Sequence, residues 1–265
     1  MKFHIINLEK DSHRLEFIKS QLDDQHLEYR VIPAIEGRRL SSNDYSFFNN
    51  YKTMTLYPNE FACFLSHIKA WREFLKSSDQ YAIVCEDDIN ISKHTSAVLS
   101  QIKMPESDLC IVRLETFLAS TTLSLNSEQV ADRAVRRLYS NHGGAAGYMI
   151  NRVTAAYLVA TAPQAAHAVD TELFDPKRGQ FKDVVVRQID PALCIQDQIR
   201  RPNSASFISN IKLRADIDAD ARQNLVKKFF ARFDAIKKFV RPIKNGLYTL
   251  VLLPTGKIRR IVPYR

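Results

Sequence analysis

A mostly parallel α/β sheet is the fold class this sequence predicts, on three observations. Short apolar runs of strand length alternate with segments of helical period along the chain. Residues 81–85 are a continuous apolar run, the pattern of a strand buried on both faces, and 109–114 reads as a further buried strand. The 265 residues are 45% hydrophobic and 25% charged, ordinary values for a globular chain with a sizeable core. That composition excludes a disordered chain, a collagen-like fibre and a multi-span membrane protein. Right-handed crossovers are the default for such a sheet.

Residues 2–8 form the first expected strand, with Phe3, Ile5, Ile6 and Leu8 apolar. Asp11 or Ser12 can cap the helix that follows over 13–24, where Leu15, Ile18 and Leu22 repeat at helical spacing. A second strand is expected over 29–35, closed by Glu36-Gly37. Residues 40–57 have no clear period and read as an irregular excursion. From Asn59 the pattern is helical, with Phe61, Phe64, Leu65, Ile68, Trp71, Phe74 and Leu75 on one face. The strands at 81–85 and 109–114 follow, then a polar stretch at 119–133 that reads as mobile. A glycine-rich passage at 143–147 precedes a helix over 152–161, and a late strand lies at 184–189.

Seven glycines are few against the roughly eighteen of an average chain this long. No G-x-x-x-x-G-K-[ST] or G-x-G-x-x-G occurs, so any nucleotide chemistry uses another device. The net charge of +9 belongs to the end of the chain: residues 224–265 carry eleven Lys or Arg against one acid, Asp234. The preceding body is near neutral, which argues against a nucleic-acid partner. Cys63, Cys85, Cys110 and Cys194 stand far apart among apolar neighbours, as reduced buried thiols do. No secretory signal pattern and no run of transmembrane length is present. A cytoplasmic protein is expected.

The sharpest feature is Glu86-Asp87-Asp88 at the end of an apolar strand. In open α/β sheets ligands sit outside the carboxyl ends of the strands. Three carboxylates in a low-dielectric pocket need a cation, because like charges and desolvation both oppose ionisation. Glu86 and Asp88 alternate along an extended backbone and suit a hard divalent ion, Mn²⁺ or Mg²⁺, that also holds phosphate oxygens. The alternative is an acidic helix start stabilised by the macrodipole. Asn7, Leu8 and Arg14, after the first strand, open on the same edge and suit recognition of a base, ribose or phosphate, or form a solvated first helical turn. Ser66 and His67 lie beside the apolar helical face, as ligand contacts or as core residues. Gly144 and its glycine neighbours let a backbone pass close to a ligand or a helix. Asp170 and Glu172 stand between apolar residues, where one could be a general base.

In order along the chain, INLEKDSHR, NEFACFLSHIKAW, YAIVCEDDI, GGAAGYMINRVTAAYL and VDTELF resemble glycosyltransferase family 25, the lipopolysaccharide and lipooligosaccharide glycosyltransferases. The resemblance spans about residues 1–209. It implies a GT-A fold, a nucleotide-sugar-binding α/β domain with a metal-bridging acidic motif, and inverting transfer from UDP-galactose or UDP-glucose. The acidic motif then falls on Glu86, Asp87 and Asp88, with Asp88 the expected direct metal ligand. Glu86 is expected to act through the ribose or a metal-bound water, or as a ligand itself, and His142 to complete the metal or donor site. Asn7, Leu8, Arg14, Ser66, His67, Glu86, Asp87 and Gly144 become candidate contacts of the UDP-sugar. Asp170 is the favoured base, with Glu172 or His142 as alternates.

Beyond residue 215 the expected second segment, 216–265, is basic and amphipathic. Leu225, Val226, Phe229, Phe230, Phe233, Ile236, Phe239 and Val240 form a stripe at helical spacing, with lysines and arginines mostly off it. A basic helix with a Phe-rich face suits an anionic membrane surface, here the inner face of the bacterial cytoplasmic membrane; docking on the core is the alternative. The combined expectation is a metal-assisted galactosyltransferase acting on a lipid-linked oligosaccharide. A non-enzymatic basic adaptor for membrane or nucleic acid and a metal-dependent nucleotide-sugar phosphohydrolase are the competing readings.

Overall fold

The computed structural model describes residues 1–179, 183–201, 250–252 and 256–265. The chain opens with β1 (Lys2–Asn7), α1 (Ser12–Asp23), β2 (Tyr29–Pro33), a short α2 (Ser42–Ser46) and the long α3 (Pro58–Leu75). Next come β3 (Tyr81–Glu86), β4 (Ile89–Ile91), α4 (Thr95–Leu99), β5 (Cys110–Arg113), β6 (Ser120–Ser124), β7 (Glu128–Val130) and β8 (Arg133–Arg137). Then follow β9 (Gly147–Asn151), α5 (Arg152–Thr161), α6 (Val169–Phe174), β10 (Val185–Asp190), β11 (Cys194–Gln196), α7 (Asp197–Arg200), β12 (Leu250–Leu252) and β13 (Lys257–Ile261).

Eight strands form one sheet in the order β2-β1-β3-β9-β5-β10-β8-β7. The pairings β1–β2, β1–β3 and β5–β10 are parallel. The other four, β3–β9, β5–β9, β8–β10 and β7–β8, are antiparallel. The sheet is therefore mixed, a correction to the mostly parallel one expected. Two strands cause this: β9 runs against both its neighbours, β3 and β5, and β8 against both of its own, β10 and β7. The Gly-Tyr-Met-Ile-Asn run of β9 passes directly into α5, where the Asn151 side chain caps the helix by accepting from Thr154 N at 2.9 Å. No loop separates this strand from the helix expected over 152–161, and no strand was expected over Gly147–Asn151.

The expectation of burial on both faces holds for β3. Ala82 and Val84 join α3 and α5 in one core cluster, while Ile83 and Cys85 join Ile18 and Leu22 of α1 in the other. α3 starts with Pro58 at its first turn, and the Glu60 side chain accepts from Tyr57 N at 2.9 Å. Its apolar face is buried as its periodicity requires, Trp71 completely.

The polar stretch at 119–133 is not a mobile loop but supplies β6 and β7. Thr121 and Leu123 point inward and the intervening residues outward, the period-2 pattern of a half-buried strand. β6 finds its partner in β13, with Leu123 opposite Ile258. Residues 256–265, which the sequence reading placed with the basic C-terminal segment, thus return to the body: Ile258 and Val262 pack with Leu123, Leu138 and Ala192. The Phe-rich stripe at 225–240 lies outside the described residues. Among the described residues no helix is long and apolar enough to cross a membrane.

Candidate active site

Parallel pairing of β1 with β3, with Ile6 opposite Glu86, brings the ends of both strands to one sheet edge. A cleft of about 180 Å³ opens there. Leu8, Lys10 and Arg14 form one wall, Glu36 and Arg38 another, and Asn59, Cys63 and Ser66 of α3 a third, above Glu86, Asp87 and Asp88. Asn7 Nδ2 donates to Asp87 Oδ2 at 2.7 Å and so ties the first loop to the acids. Arg14, from the first turn of α1, places Nε 3.1 Å from Asp87 Oδ1 and Nη2 2.6 Å from Asp88 Oδ2.

Asp87 and Asp88 are both buried, and burial raises their carboxyls above the usual range. Asp87 reaches about 6 against the opposing effects of Arg14 and Asn7. Asp88 reaches about 7, with the Glu86 charge adding to burial and outweighing Arg14. Asp88 Oδ1 is buried without a hydrogen-bond partner among the described residues. Arg14 pairs with two of the three carboxylates, and an oxygen of Asp88 left without a partner among the described residues fits a hard divalent cation that Asp88 and Glu86 could hold.

The structure gives the remaining candidates different surroundings. Ser66 Oγ accepts from Ile35 N at 2.9 Å and donates to Ala62 O at 2.7 Å, fixing the loop after β2 to α3. His67 is fully buried, with Nδ1 2.9 Å from Tyr148 Oη. His142 Nε2 lies 2.5 Å from Thr121 Oγ1, and burial lowers the imidazole to about 3. His142 is not in the cleft lining and is not brought together with Glu86 and Asp88. Glu172 Oε1 accepts from Ala166 N and His167 N, each at 2.8 Å, and clamps the turn before α6. Asp170 Oδ2 accepts from Gly144 N at 2.9 Å and Oδ1 from Thr171 N at 2.7 Å. Asp170 is half-buried and is not among the residues that line this cleft.

Gly144 is where the glycine passage needs its glycine: φ is +79°, and an added Cβ would lie 2.1 Å from the Phe117 ring. Gly144→Ala is expected to cost about 2 kcal/mol in thermal denaturation, from the strained φ and the overlap together. Gly143→Ala, whose Cβ would meet Asp170 Oδ2 at an ordinary 3.7 Å, should change stability far less.

Sequence reasoning missed Arg113 and Glu115. Arg113 Nη2 donates to Gly143 O at 2.9 Å and lies 3.4 Å from Glu115 Oε2, which also accepts from Ala146 N at 3.0 Å. Glu115 is wholly buried, and burial raises its carboxyl to about 8. The pair holds the glycine passage against β5. Its signal was an Arg and a Glu two residues apart within an apolar run, on one side of the strand. Lys10 and Arg38, further cations of the cleft, were also missed.

A model of glycosyltransferase family 25 (LPS biosynthesis protein) matches residues 1–173. The lipooligosaccharide biosynthesis protein lic2B of Haemophilus influenzae is 24% identical over 270 residues, spanning 98% of this chain and 92% of its own. The lacto-N-neotetraose biosynthesis glycosyltransferase LgtE of Neisseria meningitidis serogroup B is 32% identical over 211 residues, 71% of each chain. LgtB of the same organism is 29% identical over 195 residues, 69% of this chain and 65% of its own. With the family model covering well over half of the sequence, and the motifs at 6–14, 59–71 and 81–89 meeting around one acidic cleft, the chain belongs to glycosyltransferase family 25.

Proposed function

We propose that the protein is an inverting hexosyltransferase, with UDP-galactose its donor and a lipid-linked lipooligosaccharide or lipopolysaccharide its acceptor, forming a β linkage. The observation that carries this reading is the cleft at the carboxyl edge of β1 and β3, where Lys10, Arg14 and Arg38 face Glu86, Asp87 and Asp88. That mixture of charges suits a nucleoside diphosphate bound with a divalent cation, and it supports a GT-A-like domain over residues 1–215. Names of relatives that include lipooligosaccharide and lacto-N-neotetraose biosynthesis support the acceptor class.

Asp88 and Glu86 would hold Mn²⁺ or Mg²⁺, which supplies positive charge to the departing diphosphate. Arg14 orients Asp87 and Asp88 for this, and Asn7 keeps the first loop against them. Leu8 and the Ile35 edge offer an apolar wall for the base. Asp170 is the base that takes the acceptor hydroxyl's proton, held at one oxygen by Gly144 N and at the other by Thr171 N. Glu172 is committed to its three donors in the 166–167 turn and is not assigned that role. His142 is left out of the metal set because its Nε2 is engaged by Thr121. The basic stripe beyond residue 215 would hold the enzyme to the anionic inner face of the cytoplasmic membrane, near its acceptor.

UDP release from a panel of UDP-sugars with Mn²⁺, with and without truncated lipooligosaccharide, tests the reading. Release from one donor that rises with acceptor is expected. Asp170→Asn should lower kcat by about 10²-fold or more while leaving donor binding in place. Release at full rate without acceptor would favour the phosphohydrolase reading. No turnover on any donor, with binding to anionic liposomes retained, would favour the adaptor.

A further inference from the structure

Behind the acidic triplet lies a cluster of different chemistry. Cys63 and His67 are four residues apart on α3 and so share a helix face, directed at the end of β3. Cys63 Sγ is 4.0 Å from Glu86 Oε1, and His67 Nε2 is 3.9 Å from the same oxygen. All three ligand atoms lie within 4.8 Å of one another, the one group of three such residues among those described. His67 is fully buried, and its Nε2 has no hydrogen-bond partner among the described residues. A buried imidazole nitrogen aimed at a thiol and a carboxylate, with nothing to bond, is costly unless something sits between them.

We propose that Cys63, His67 and Glu86 form a three-ligand site for a thiophilic divalent cation, Zn²⁺ in the first place, on the inner wall of the cleft. Sulfur, imidazole nitrogen and carboxylate oxygen are the donor set that zinc takes, and the hard ions suited to Asp88 do not prefer a thiolate. Separations near 4 Å close to zinc's tetrahedral edges with small side-chain adjustments, and three protein ligands leave a fourth position open to the cleft. Cys63 and Glu86 line that cleft, so the ion has an entry path.

The second layer is also in place. Tyr148 Oη accepts from Trp71 Nε1 at 2.8 Å and lies 2.9 Å from His67 Nδ1. With its two lone pairs it can accept from Nδ1–H as well, the tautomer that leaves the Nε2 lone pair for the metal. Burial and the nearby Glu86 push the Cys63 thiol well up, so the metal-free site keeps its proton. A bound cation displaces it: the S–H bond breaks, the S–metal bond forms, and one proton passes to solvent. The site would share Glu86 with the cation proposed at Asp88, but neither assignment depends on the other.

Tag-free apo-protein, without nucleotide sugar or acceptor, is titrated with Co²⁺ and, separately, loaded with Zn²⁺ for X-ray absorption. One equivalent of Co²⁺ should give a thiolate-to-cobalt charge-transfer band, absent in Cys63→Ser and at least tenfold weaker in affinity in His67→Gln. Asp88→Asn should keep the band. In wild type the zinc should show a single sulfur at about 2.3 Å with nitrogen and oxygen at about 2.0–2.2 Å. A zinc shell without sulfur, a band that survives Cys63→Ser, or one lost in Asp88→Asn would overturn the site. Since sugar transfer is not measured, failure here leaves the transferase reading as it was.

Discussion

Asp88→Asn is expected to abolish sugar transfer and at the same time to stabilise the apo-protein above pH 7. Loss of a carboxylate that holds a catalytic cation should cost several kcal/mol of transition-state stabilisation, about 10³-fold in kcat. The stability effect has the opposite sign because Asp88 is held above its ordinary pKa. Its carboxyl moves from 3.8 to about 7 on folding, through burial and the Glu86 charge. The folded state therefore binds the proton more tightly than the unfolded chain. Asp88 is harmless below about pH 4, increasingly unfavourable as pH rises towards 7, and constant in its cost above that. Asparagine removes the charge but can still accept from Arg14. The gap in Tm between Asp88→Asn and wild type, measured in chelator, should open between pH 4 and pH 7 and then level off. Mn²⁺ should raise the Tm of wild type and leave that of the variant nearly unchanged. A variant that is inactive and also less stable at pH 8 would contradict this account.

Arg14→Met should produce the largest loss of stability among single changes in the cleft. Arg14 is buried and bridges Asp87 and Asp88 at 3.1 and 2.6 Å. Removing it strands two carboxylates in low dielectric, a change that costs about 3 kcal/mol or more in comparable buried pairs. For a chain of this size that is a fall in Tm of about 6–12 °C. The effect should be full at pH 8, where both acids are ionised, and shrink below pH 6 as they take up protons. Calorimetry across pH 5–8 in chelator checks it. A pH-independent loss would mean that Arg14 acts through packing alone, and would remove the electrostatic argument for a cation site.

Much of the donor side of the cleft was legible because it is local. Residues 81–89 show an apolar run broken by three acids, and such a run must be a buried strand whose end meets solvent. Asn7 ends the other parallel strand and Arg14 follows it in the first turn of α1, so strand order alone carries them to the same edge. The α3 face was equally plain, since Phe61, Phe64, Leu65, Ile68, Trp71 and Phe74, six of the seven apolar residues at helical spacing, are buried. The mixed sheet was not legible. β9 ends at the Asn151 cap of α5 with no loop between them, and β6 is a weak polar strand until β13 covers it from more than 130 positions away.

Roles within the site divide the same way. Asp170 and Glu172 looked equivalent in sequence, but two residues along a helix turn about 200°. One carboxylate therefore meets the glycine passage and the other the turn before α6. His142 stood beside the glycines, yet its ring is taken by Thr121 of β6, a contact that only the packing of β6 against the loop creates. By itself the sequence determined the family, the acidic edge and the helices that cover it, because each is written in neighbouring residues. Tertiary structure alone decided which charges are paired, which carboxylate is orphaned and that Cys63, His67 and Glu86 converge, because desolvation and distance depend on what the rest of the chain places against each group.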